Sequence, residues 1–101
     1  MDIKVPKVVK IGGFDYSVKF EPRPLRLVGN CTRGECRHME QEIAVDNSCL
    51  QQHTNLTWLH EVLHAVDNAY NSDRLAEEDV TRLAHGLNQV FGQLGINFVQ
   101  K

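Results

Sequence analysis

His60-Glu61-Val62-Leu63-His64 sets two imidazoles four residues apart with a carboxylate between them. On an α-helix, positions i and i+4 project from one face, so His60 and His64 can reach one tetrahedral metal ion together. Glu61 points to one side of that pair. There it can take a proton from a water on the metal and later pass it to a leaving amine. Imidazole ligands with an open fourth position suit Zn2+. By residue frequencies such a pattern arises by chance in well under about 1% of chains this long. The chemistry implied is metal-assisted hydrolysis, with a protein or peptide as substrate.

A catalytic zinc site takes three protein ligands as a rule. The continuation HExxHxxGxxH is absent, because Asp67 stands at the glycine position and Tyr70 at the third histidine position. Leu75-Ala76-Glu77-Glu78-Asp79 supplies three carboxylates instead. On a helical wheel Glu78 lies nearly opposite the apolar stripe, with Arg82 and Gln89, and faces water. Glu77 flanks the stripe on the side of Ala84 and Phe91, and Asp79 flanks it on the other. The wheel leaves Glu77 and Asp79 open. Asp67, one turn beyond His64, either accepts a hydrogen bond from a ligand imidazole or ends the helix in solvent. Tyr70 fits core packing better than an oxyanion contact. His53 and His85 read as surface residues, and Trp58 as a packing residue.

Two helices must carry these groups. Leu56, Leu59, Leu63, Val66 and Tyr70 share one face of the first, with Thr54 or Asn55 as its cap. Asn71-Ser72 breaks the pattern. Ala76, Val80, Leu83, Leu87, Val90 and Leu94 then step by 4, 3, 4, 3 and 4, the clearest amphipathic signal in the chain, and Gly95 is a natural stop. Ahead of the helices, Phe14 to Phe20 alternates with the period of a half-buried strand, and Gly12-Gly13 suits a tight hairpin turn before it. Glu21-Pro22-Arg23-Pro24 ends that strand. Leu25, Leu27 and Cys31 follow in a less regular segment. Gly34 marks a turn, and Glu42–Asp46 reads as a strand with Ile43 and Val45 on one face. An exposed edge of that strand could hold a peptide by strand addition. Strands followed by helices imply an α+β domain, a small, mostly antiparallel sheet packed on two helices.

The 101 residues make a single domain, 1–101, with 42% hydrophobic and 24% charged residues, as in ordinary globular proteins. A net charge of −2 argues against binding nucleic acid through its phosphates, and no apolar run reaches the roughly 20 residues that span a bilayer. Met1 to Lys10 has no signal-peptide core, which points to a cytoplasmic protein. The odd cysteine count (Cys31, Cys36 and Cys49) fits reduced thiols better than disulfides. A structural zinc site on Cys31, Cys36 and His38 is the weaker alternative.

The chain resembles the small zincin metallopeptidases of the ImmA/IrrE type, above all short stand-alone versions from bacteria and phages. Trp58 to Val66 is similar to that family's metal helix, and Glu77 to Ala84 to its following helix. Gly34-Glu35-Cys36 through Gln41 to Asp46 is similar to the strand ahead of them. The family's ANxFA element stands here as Val80-Thr81-Arg82-Leu83-Ala84. The resemblance implies a minimal zincin-like fold and a gluzincin site of His60, His64 and Glu77, with Glu61 as general base. It also implies a phage or mobile-element regulatory role. The competing expectation is a catalytically silent, zinc-stabilised binding or regulatory module. Peptide deformylases share HExxH, but their glycine-rich and cysteine motifs are missing here.

Overall fold

The computed structural model describes residues 1–22 and 33–100. The first expected hairpin is present: β2 (Val8–Ile11) and β3 (Phe14–Glu21) pair antiparallel around Gly12 and Gly13. Both glycines have positive φ, 62° and 83°, as a two-residue hairpin turn requires. A Cβ on Gly12 would also lie 2.5 Å from Ala69 Cβ, so the turn sits hard against the following helix. Tyr16, Val18 and Phe20 are buried, whereas Phe14 stays exposed at the strand's start.

Beyond residues 23–32, which include Leu25, Leu27 and Cys31 and lie outside the described residues, come β4 (Gly34–Arg37) and β5 (Glu42–Asp46). The sheet order is β2-β3-β5-β4. It is antiparallel at two of its three pairings and parallel at the central pair, β3 with β5. β5 is therefore enclosed on both sides, and Ile43, Ala44 and Val45 are all buried. This corrects the expected peptide-binding edge at Glu42–Asp46. Among the described residues the free edge on that side is β4. Gly34 is also not a turn residue but the first residue of that strand.

α1 (Gln51–Asn71) crosses the sheet. It buries Trp58 and Ala65, with Val62 and Ala69 against the same core, and the Trp58 ring packs on Phe20 at 5.5 Å. That differs from the expected Leu56-Leu59-Leu63-Val66-Tyr70 stripe, of which Leu59 alone is buried. Val66 is 38% and Tyr70 74% exposed, so Tyr70 is not a core residue. The helix has two neighbours, sheet and second helix, and the most regular apolar row does not reveal which of them takes which side.

Asn55 is no cap, because the helix begins at Gln51. Its Oδ1 accepts the Phe98 N–H at 2.8 Å and its Nδ2 donates to Asn97 Oδ1 at 3.1 Å. These bonds brace β6 (Asn97–Val99), which pairs in parallel with β1 (Asp2–Lys4). α2 (Glu77–Gln93) packs against α1 through Val80 and Ala84, both fully buried. Glu77, Glu78 and Asp79 occupy its first turn, where carboxylates favour the helix dipole. The architecture is α+β. No helix among the described residues is long and apolar enough to cross a membrane.

Candidate metal centre

His60 and His64 lie one turn apart on α1, with Nε2 atoms 3.1 Å apart. Glu77, the first residue of α2, reaches across the helix pair: its Oε1 is 2.7 Å from His60 Nε2 and its Oε2 is 2.9 Å from His64 Nε2. The histidine side chains are mostly buried, whereas that of Glu77 is exposed. Among the described residues this is the group that could hold a metal ion. Two imidazoles and a carboxylate are a borderline-hard donor set suited to a tetrahedral ion with bonds of about 2.0–2.1 Å. Such an ion needs its ligands about 3.3 Å apart, so the triangle would open by a few tenths of an ångström.

Asp79, the other carboxylate left open by the wheel, turns away, and so does Glu78, which the wheel sends to solvent. Asp79 Oδ1 is 3.6 Å and Glu78 Oε2 is 4.0 Å from the Arg82 guanidinium. Asp67 is buried, but it contacts neither imidazole. Its Oδ1 accepts from Asn71 Nδ2 at 2.8 Å, and both carboxylate oxygens face the Leu75 N–H at 3.3–3.4 Å. Its main-chain carbonyl accepts the N–H groups of Ser72 and Asp73, which both have positive φ of 56°. Asp67 thus organises the tight turn that delivers Glu77, a role the sequence spacing did not show. Asp67→Ala should cost about 1–2 kcal/mol, a fall of roughly 5–15 °C in Tm, and weaken metal binding by displacing Glu77. Thermal melts with and without metal check both effects.

Glu61 is 7% exposed and sits between α1 and the start of β4. Burial, then the negative charges of Glu77 and Glu35, push its carboxyl up to about 8. A cleft of about 280 Å³ opens here, lined by Arg33, Gly34, Leu56, Thr57, His60, Glu61 and Glu77. Gly34 has no room for a side chain. A Cβ would overlap Thr57 Cγ2 and lie 3.1 Å from both Cγ and Oε2 of Glu61. Its backbone is ordinary, so the requirement is close approach, not turn geometry. Gly34→Ala should therefore move Glu61 or β4. The expected result is a loss of roughly 1–3 kcal/mol with metal content unchanged, read by thermal melts beside metal analysis.

Cys36, on β4, has a thiol pushed up to about 12 by burial and by the negative charges of Glu61, Asp73 and Glu35. Its Sγ is 3.7 Å from His38 Nδ1, and Tyr16 Oη is 3.5 Å from the same nitrogen. Of the Cys31, Cys36 and His38 set, Cys31 lies outside the described residues. Cys36 and Cys49 are free thiols. His53 and His85 are exposed, and Trp58 is a packing residue.

No family model matches the chain, and neither a curated protein nor a solved structure matches it significantly.

Proposed function

We propose that the chain is a zinc-dependent peptidase, with His60, His64 and Glu77 as metal ligands and Glu61 as general base. The observation that carries the reading is the convergence of Glu77 on the two histidines, from a separate helix, beside a buried carboxylate. Bound there, zinc would polarise a carbonyl and acidify a water. Glu61, on the same cleft, would accept the proton of the attacking water and return it to the nitrogen of the departing amine. The β4 edge begins at Gly34, beside Glu61. Backbone pairing along that edge would lay an extended peptide across the cleft without demanding particular side chains.

The small cleft favours a second reading, a metal-stabilised binding or regulatory module, since ligand pockets usually exceed about 300 Å³. Metal analysis of the untagged protein, followed by incubation with an unstructured peptide mixture, separates the two. Cleavage that stops on chelation and returns with zinc supports the peptidase. One bound metal per chain with no cleavage supports the module. No metal after zinc addition defeats both.

A further inference from the structure

We propose that α2 pairs with the α2 of a second copy of this chain, through Leu83, Leu87, Val90 and Leu94. These four residues are 47%, 38%, 52% and 63% exposed, although they belong to the most regular apolar row in the sequence. Within its own fold α2 packs through Val80, at the edge of that row, and through Ala84, with Phe91 against Phe98 at 6.0 Å. At about 100° per residue the exposed row is centred roughly 70° round the helix from that packed side. Glu77 lies roughly 110° from its centre, so pairing leaves the metal centre open. An apolar row of this length on a small protein marks an interaction surface.

Two observations select a second copy as the occupant. The first is charge: from Leu83 to Gln100 the chain has no Asp, Glu, Lys or Arg. In a two-fold interface each residue near the axis meets its own image or a close neighbour of it, so a charge there would face a like charge. This face carries none, and it offers no charge by which to select a charged partner. The second is spacing. The steps 83, 87, 90, 94 run 4, 3, 4, the same in both directions. Two antiparallel copies therefore bring Leu83 opposite Leu94, and Leu87 opposite Val90, with no apolar residue unmatched. Gly86 borders the row in open space and leaves room for close backbone approach. A stripe of this size buries on the order of 500 Å² per protomer, below the roughly 800 Å² of a standard interface, so the dimer exchanges with monomer at micromolar concentrations.

Sedimentation equilibrium of the whole chain tests this without reference to the metal centre. The wild-type mass should rise from the chain mass towards twice that value between roughly 10 and 500 µM. Val90→Glu and Leu94→Glu, at the most exposed positions, should need at least roughly 10-fold higher concentration, with wild-type helical circular dichroism. An equimolar mixture of Val90→Glu and Leu87→Lys should associate more tightly than either alone, because one facing pair becomes an ion pair and the other stays native. A wild type at the chain mass throughout, or a Val90→Glu variant that associates like wild type, overturns the proposal. Failure of the mixture to associate overturns the antiparallel pairing.

Discussion

For the peptidase proposed above, Glu61→Gln should remove peptide hydrolysis while leaving metal binding and the fold in place. The carboxyl is 7% exposed and faces the same cleft as His60 and Glu77. Glutamine matches it in shape, so its packing beside Gly34 survives. It cannot accept the proton of an attacking water, and general base catalysis is worth roughly 10²–10⁴-fold. Turnover should fall by at least that range. Metal content should stay at the wild-type value, since neither Glu61 oxygen belongs to the ligand triangle. Stability gives a separate readout. Burial and the nearby charges of Glu77 and Glu35 disfavour the ionised carboxylate, and a neutral amide does not meet that cost. The variant should melt no lower than wild type at neutral pH. Loss of metal or fold along with activity would make Glu61 a structural residue. Turnover equal to wild type would remove it from the mechanism.

The parts of the molecule that could be read from residues alone are those set by local physics. Gly12-Gly13 requires positive φ twice, and a hairpin turn is where that occurs. Glu42–Asp46 and the break at Asn71-Ser72 also stand where the pattern puts them. The histidine spacing is a property of one helix turn. Glu77 was harder: its neighbours Glu78 and Asp79 differ from it only in direction, and direction depends on how α2 crosses α1. Asp67 determines that crossing through bonds to the 72–75 turn, which no periodicity encodes. The β1–β6 pair joins three-residue strands from opposite ends of the chain, too short to show alternation and too distant for local pattern. Gly34 misled because a glycine needed for close approach looks the same in sequence as a glycine needed for a turn. The α2 row misled in another way. Amphipathic spacing shows that a face is apolar, and the protein's own core takes only its Val80 edge, leaving Leu83, Leu87, Val90 and Leu94 exposed.

Glu77→Ala should abolish tight metal binding, and with it the metal's contribution to stability. Glu77 alone ties α2 to the histidines in the triangle, with contacts of 2.7 and 2.9 Å. Loss of a group that merely supports a ligand costs roughly 10–100-fold in metal affinity, so loss of the ligand itself should exceed that. At free metal about 100 times the dissociation constant, binding stabilises the folded chain by about 2.7 kcal/mol. For a domain of this size that is roughly 10–20 °C in Tm. Chelation should therefore lower the wild-type Tm by about that amount, and zinc should restore it. Glu77→Ala should melt near the chelated wild type and respond to neither treatment. Glu78→Ala and Asp79→Ala, whose carboxylates face Arg82, should keep the wild-type response. A Glu77→Ala protein that still gains stability from zinc would move the third ligand elsewhere. A wild type indifferent to zinc would leave His60 and His64 as hydrogen-bond partners of Glu77, joining two helices with no ion between them.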